Sequence, residues 1–218
     1  MYSTLIRTPR KLCVQLLFVT VIGLALAGPL NSARAAMLEE AREWFVNNTA
    51  NQCRKADEID ALFSSGDIKA VTQHQIPRTD YEGKLQPDKK DTTLFEFFCD
   101  SGAYNRHNIY VLYDDGLFTQ LSFAQPTIAV VYEDENSDSA VKSVSIIGFE
   151  SRLTVVNPHF DPKSRTLKET GHWRGVGDAS NESWWEFMGD RFVLRQYRVD
   201  ASYDGEINPE HEFSWPRP

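Results

Sequence analysis

An antiparallel β protein with a small helical element at its front is the fold this chain predicts, and three observations predict it. From Leu94 onward, apolar and aromatic residues come in short runs separated by turn dipeptides such as Asp115-Gly116, Asn157-Pro158 and Gly189-Asp190. Helical periodicity is confined to one stretch, Leu38 to Phe63. No helical pattern separates the later strands, so they follow one another at short spacing as an antiparallel meander forming a sandwich or a barrel. The expected partition is a leader over 1–35, a helical element over 36–66, a connection over 67–91 and a β domain over 92–218.

The leader comes first. Arg7, Arg10 and Lys11 precede an apolar run from Leu12 to Ala27, Pro29 breaks it, and Ala33-Arg34-Ala35 supplies a small-residue cleavage site. That order is the pattern of a secretory signal peptide, cut after Ala35. The run is shorter than the ~20 apolar residues that span a bilayer. Cys13 lies before the run and leaves with the leader, and Thr8 and Pro9 separate the arginines, so no twin-arginine signal is present. The prediction is therefore an exported protein, periplasmic or secreted, with no membrane insertion after signal removal.

In the helical element, Leu38, Ala41 and Phe45 recur at spacings of three and four, with Glu39, Glu40 and Glu43 on the other sides. Asn47-Asn48 interrupts it. Thr49, with Gln52 three residues on, reads as a capping box opening a second helix whose one face carries Cys53, Ala56, Ile59 and Phe63. Ser64-Ser65-Gly66 closes that helix. The connection that follows holds Pro77 and Pro87 and one short strand around Ala70–Gln75.

Roughly nine strands are expected beyond it: Leu94–Cys99, Asn108–Tyr113, Leu117–Phe123, Thr127–Tyr132, Val141–Ile147, Arg152–Val156, Thr166–Trp173, Trp184–Met188 and Phe192–Val199, with Glu212–Trp215 as a short final addition. Asp114-Asp115-Gly116 joins the second and third as a hairpin. Residues 157–162 read as a turn. Cys99 to Phe123 and Gly177 to Tyr197 share a weak likeness that ordinary hairpin chemistry explains.

Composition excludes several functions. The chain has 23 basic and 31 acidic residues, a net charge of −8. Removing the leader takes four basic residues and no acid, which leaves −12. So acidic a surface disfavours nucleic acid and anionic membrane. Two cysteines remain after the leader goes, Cys53 and Cys99. In an oxidising compartment they pair most simply as one disulfide, worth ~3–4 kcal/mol on the chain-entropy account, with two free buried thiols as the alternative.

Candidate chemistry is sparse. The five histidines (His74, His107, His159, His172, His211) are scattered, without the converging set that zinc needs. No G-x-S-x-G elbow occurs, and the glycines of Arg174-Gly175-Val176-Gly177-Asp178 do not lead a strand into a helix as a phosphate loop does. Asp161, Asp178 and Glu186 are the acids from which a hydrolase pair would be drawn, against the simpler reading of turn aspartates bonded to their own backbone. Asp134-x-Asn136-x-Asp138 places oxygen ligands at alternate positions like the start of a calcium loop, but Ser139 stands where glycine belongs and Ser145 where glutamate belongs. No cofactor is called for.

Trp173, Trp184, Trp185, Tyr197 and Trp215 make the last strands aromatic. Adjacent strand residues face opposite ways. Trp185 and Phe187 are expected to face the core, and Trp184, Glu186 and Met188 the other side, on the ground that an unpaired buried carboxylate is costly. Trp184, Glu186 and Asp178 are then the candidate binding residues, for an envelope or extracellular ligand not further specified.

Cys99 with Ala103-Tyr104-Asn105, then Asp115-Gly116, Asn157-Pro158-x-Phe160-Asp161, Arg165-Thr166-Leu167 and Arg174-Gly175-x-Gly177-Asp178 resembles domain of unknown function 1176, a family of exported bacterial proteins. The likeness covers about Cys99 to Trp215. In that family a cysteine usually follows the Gly-Asp and another precedes a later Asp-Gly, where this chain has Ala179 and Tyr203. The resemblance implies export and brings no activity with it. A non-enzymatic binding or envelope-associated protein is the expected class; the alternative is a carboxylate hydrolase acting on an envelope or extracellular polymer.

Overall fold

In the computed structural model, which describes residues 29–53, 70–134, 136–137 and 139–216, one α-helix precedes twelve strands. They are α1 (Pro29–Asn48), β1 (Val71–Ile76), β2 (Thr92–Ser101), β3 (Arg106–Asp114), β4 (Leu117–Gln120), β5 (Phe123–Tyr132), β6 (Val141–Arg152), β7 (Val155–Val156), β8 (His159–Asp161), β9 (Thr166–His172), β10 (Ser180–Met188), β11 (Arg191–Asp200) and β12 (His211–Ser214). A 3₁₀ turn, Ala50–Gln52, follows α1.

Two antiparallel sheets form the body. The first runs β1-β2-β3-β4, with β7 also paired to β3; the second runs β12-β11-β10-β9-β8. They face each other across a core of Ile76, Leu94, Tyr110 and Leu112 from the first and Phe160, Leu167, Trp185, Phe187 and Phe192 from the second. The sandwich arm of the expectation therefore holds, and among the described residues no barrel closes. β5 and β6 form a separate two-stranded ribbon. Ile128, Val130, Val141 and Val144 of the ribbon pack on Tyr197, Val199 and Ala201.

Strand β2 explains the third layer. Its run Leu94-Phe95-Glu96-Phe97-Phe98-Cys99 is apolar on both sides, as a strand covered on both faces must be. Leu94 enters the inter-sheet core, whereas Phe95, Phe97 and Cys99 meet Ala41 and Phe45 of α1. The Phe45 and Phe97 rings stack at 4.4 Å. Cys53 and Cys99 form a disulfide with Cα atoms 5.0 Å apart, both buried. It ties the end of the helical layer to the centre of the first sheet.

Several elements differ from their sequence reading, each for a local reason. Pro29 is the first residue of α1, where proline is suited because its missing N–H has no helical partner to lose; the leader run that it was expected to break lies outside the described residues. Thr49 does not open a capping box. Its amide and hydroxyl both bond the Phe45 carbonyl at 2.9 Å, closing α1. Gln52 instead exchanges side-chain amide bonds with Gln120 on β4 (3.2 and 2.9 Å). Residues 54–69, with the expected helix face Ala56, Ile59 and Phe63, lie outside the described residues. The expected strand Leu117–Phe123 ends at Gln120, and β5 starts anew at Phe123. The expected turn 157–162 contains β8, which pairs with β9 through Phe160↔Leu167.

The two tryptophans of β10 face as expected. Ser183, Trp185 and Phe187 are buried toward the core, and Trp184 lies half-buried on the far side. The expectation for Glu186 fails: it is only 7% exposed. The register shifts between Trp184↔Gln196 and Trp185↔Leu194, leaving Arg195 as the extra residue of a bulge on β11. Bulges re-aim side chains, and Arg195 Nε donates to Glu186 Oε2 at 3.1 Å. The carboxylate is buried because the bulge brings its cation.

Candidate functional site

Three of the sequence motifs, around Tyr104-Asn105, Asn157-Pro158 and Arg174–Asp178, meet at one end of the sandwich. Asn157, held at φ +42°, is the hub. Its backbone N–H donates to the Arg106 carbonyl (2.7 Å), and its side-chain oxygen accepts from the Arg106 N–H (2.8 Å). Its amide nitrogen donates to the Thr170 carbonyl (2.9 Å) and to Asn105 Oδ1 (3.0 Å). Asn105 in turn bonds the backbone of His172 twice, donating to its carbonyl (2.8 Å) and accepting from its N–H (3.0 Å). Two asparagine side chains thus act as extra strand residues, satisfying backbone groups that the loops 102–105 and 157–158 would otherwise leave open.

The segment 173–178 is fixed to this lattice. Arg174 Nε donates to Asp178 Oδ1 at 2.6 Å, and its Nη2 reaches Asp178 Oδ2 and the Tyr203 carbonyl (2.9 Å). The guanidinium also lies 4.8 Å from the Tyr203 ring centre. Asp178, fully buried, accepts two further bonds, from Ala179 N–H and Gly205 N–H (2.9 Å each). The Arg174 bonds, followed by those backbone donors, hold its carboxyl well below the usual carboxylate range. The two loops that hold Ala179 and Tyr203 are joined by this ion pair and its backbone bonds.

On this frame sit three exposed apolar side chains: Tyr104 (58% exposed), Trp173 (36%) and Val176 (68%). Tyr104 lies flat on Gly175, so closely that a Cβ there would come within 2.5 Å of its ring. The loops 102–105 and 173–178 therefore touch through Tyr104 and Gly175. Composition pointed to aromatic residues in general, but Tyr104 was missed because it belongs to no strand. Only the Ala103-Tyr104-Asn105 motif flagged it.

Of the expected binding residues, the structure brings Asp178 to this end and leaves Trp184 and Glu186 on the outer face of the second sheet. Trp184 lies between two cations, Lys168 Nζ at 5.0 Å and Arg198 at 5.9 Å from its ring centre. Glu182 pairs with both (2.5 and 3.5 Å). Its ring is occupied by the protein's own charges.

The candidate acids are not assembled. Asp161 accepts from Lys163 N–H, Ser164 N–H and Ser164 Oγ–H, which lowers its carboxyl below the ordinary range. It pairs with Thr166 at one end of β9, whereas Asp178 lies beyond the other end. A cavity of about 290 Å³ beside β12 is lined by Asp200, Asp204, Glu210 and His211. There Asp200 accepts from Ser202 and Asn208 (2.8 Å from each of the Ser202 hydroxyl and Asn208 N–H), and Asp204 from Glu206 N–H (2.9 Å). Asp134 and Asn136 are exposed in a turn closed by Ser139, whose hydroxyl donates to the Asn136 carbonyl (2.7 Å), and Asp138 lies outside the described residues. Among the described residues no three His, Cys, Asp or Glu side chains converge as a metal site.

The profile of the family described as "Protein of unknown function (DUF1176)" matches residues 27–218. The chain belongs to the DUF1176 family. The match is wider than the sequence motifs suggested: it takes in α1, where no likeness was expected. The chain is also similar to the uncharacterised protein YpfG of Escherichia coli (strain K12), 33% identical over 66 residues. That stretch is 30% of this chain and 18% of YpfG, so the chain spans less than a fifth of this relative. No solved structure matches the chain.

Proposed function

We propose that this DUF1176 protein is an exported, non-enzymatic binding protein of the bacterial envelope, and that it engages an envelope polymer by stacking sugar rings on Tyr104 and Trp173. The observation that carries the reading is that Tyr104 and Trp173 are both exposed, on two loops that touch where Tyr104 packs against Gly175 and that a polar lattice braces. Exposed aromatic side chains on a preorganised frame bind at low entropic cost, because little is ordered on contact. Asp178 is the brace of that surface rather than a ligand contact.

Export is supported by the leader pattern over 1–35 and by the Cys53–Cys99 disulfide, which persists in oxidising compartments. Among the described residues no helix is long and apolar enough to cross a membrane. A carboxylate hydrolase finds no comparable support. Asp161 and Asp178 have both carboxylate oxygens bonded within the protein, Glu186 Oε2 is held by Arg195, and Asp161 and Asp178 lie at opposite ends of one strand.

The test is co-sedimentation of the processed protein with purified cell-wall polysaccharide. The wild type is expected in the pellet, and Tyr104→Ser with Trp173→Ser should release it at least ~10-fold, the effect of losing about 1.4 kcal/mol of stacking. Trp184→Ala should stay bound. A wild type that remains in the supernatant, or a Trp184→Ala loss equal to that of the double variant, refutes the reading.

A further inference from the structure

Of the three exposed apolar residues, Trp173 alone has a polar atom committed inward. Its indole Nε1–H donates to Asn181 Oδ1 at 3.0 Å. Asn181 Nδ2 then donates to Glu169 Oε1 at 3.4 Å, and Glu169 Oε2 accepts the backbone N–H of Val156 at 3.0 Å. Glu169 is 2% exposed. Gly171 stands directly opposite Asn181 on β9, and a Cβ there would lie 2.8 Å from Asn181 Oδ1. Glycine at 171 is what admits the amide between a surface indole and a buried acid.

We infer that Asn181 and Glu169 are positioning residues for Trp173, so that the proton on Glu169 and the seating of the indole at the surface are thermodynamically linked. An ionised Glu169 draws the Asn181 N–H inward and fixes the amide with its oxygen toward the indole. A protonated Glu169 is a poorer acceptor, which loosens the amide and with it the Trp173 anchor. Linkage runs both ways: freeing the indole from Asn181 removes a fixed donor from the carboxylate and favours its proton.

The other groups around Glu169 are few. Arg152 of β6 favours its charged form. Tyr197 of β11 stays neutral, pushed up to about 12 by burial and then by Glu169, with Glu150 of β6 adding to the push. Ser183, directly opposite on β10, directs its hydroxyl to Gln125 Oε1. Burial raises the Glu169 carboxyl above its ordinary value. The switch therefore lies above the usual ~4.3 of glutamate, and a ligand that needs the anchored indole binds more tightly as pH rises through it. This last consequence rests on reading the aromatic end as the binding surface; the linkage itself does not.

The experiment is a pH titration of the processed protein by 1H–15N NMR, following the Trp173 indole resonance assigned with Trp173→Phe. The wild-type resonance should move with one midpoint above ~4.3 and should lose that movement in Glu169→Gln and in Asn181→Ala. Because a buried substitution threatens folding, the second arm observes the Glu169 carboxyl by 13C in Trp173→Phe, a surface change, where the midpoint should move upward. A wild-type indole that ignores pH, an unchanged titration in folded Glu169→Gln, or an unmoved carboxyl midpoint in Trp173→Phe overturns the linkage. None of these readouts involves polysaccharide, so a failed linkage and a failed binding surface are told apart.

Discussion

Trp184 and Trp185 are neighbours in one strand, and truncating each to alanine should have very different costs. Trp185 is fully buried between the sheets, edge-on to Phe123 at 5.4 Å and among Leu167, Phe187 and Phe192. Trp185→Ala leaves a cavity walled by both sheets, whose strands are fixed by their ladders and cannot collapse into it. The expected loss is ~3–5 kcal/mol. The Ala124 carbonyl also loses the indole N–H it accepts at 3.0 Å, but Ala124 is exposed and water can replace that bond. The cavity term therefore decides the magnitude. Trp184→Ala removes a half-buried ring flanked by Lys168 and Arg198, two contacts worth ~0.5–1 kcal/mol each at a partly exposed site. Both cations keep Glu182 as partner, so the total should stay near 1–2 kcal/mol, about two such contacts. Urea unfolding of both variants at equal m measures the difference directly. If Trp184→Ala proves as damaging as Trp185→Ala, or Trp185→Ala costs under ~1 kcal/mol, the layer arrangement drawn from the inter-sheet core is wrong.

Three further outcomes follow from the same geometry. The processed protein, denatured without reductant, should show no free thiol, and Cys99→Ser should cost ~3–4 kcal/mol on the loop-closure account; labelling of two thiols per chain refutes the bridge. Asp178 has a carboxyl depressed in the folded state, so its contribution is present above the unfolded value of ~3.9 and is lost only as pH falls through the lower folded value. Wild type and Asp178→Asn should therefore differ in stability at neutral pH and converge in strong acid; a difference that grows on acidification contradicts the assignment. Gly175→Ala should push the Tyr104 ring off the loop and weaken polysaccharide co-sedimentation while leaving the melting midpoint nearly unchanged, and a variant that sediments normally rejects Tyr104 as a contact.

How far the fold was legible depends on how local its causes are. Compact apolar runs and turn dipeptides announced most strands because each strand carries its own signal, although in β9 the buried side holds Glu169 and Gly171 beside Leu167, which no apolar alternation reveals. The Cys53–Cys99 pairing was legible because only two cysteines remained to choose from. Glu186 was not legible. Its burial depends on a bulge in the neighbouring strand that turns Arg195 toward it, and nothing in the run Trp184–Met188 encodes that bulge. Thr49 and Gln52 misled for a similar reason: the same Thr-x-x-Gln spacing serves a helix start or, as here, a helix end and a tether to Gln120.

The candidate surface was legible only as fragments, since its cohesion lies between segments about fifty residues apart. Asn157 read as part of a turn over 157–162, and Asn105 stood out only as part of the Ala103-Tyr104-Asn105 motif. Each instead completes the hydrogen bonding of a different segment, Asn105 that of His172 and Asn157 that of Arg106 and Thr170. This accounts for most of the motif residues by stability alone. Asparagine satisfies backbone, Gly175 makes room for a ring, and Arg174 with Asp178 bridges two loops. Subtracting those roles leaves two positions within the motifs that do nothing for the fold in proportion to the apolar area they expose. They are Tyr104 and Val176, and with Trp173 they are the exposed apolar residues on which the proposed binding reading rests.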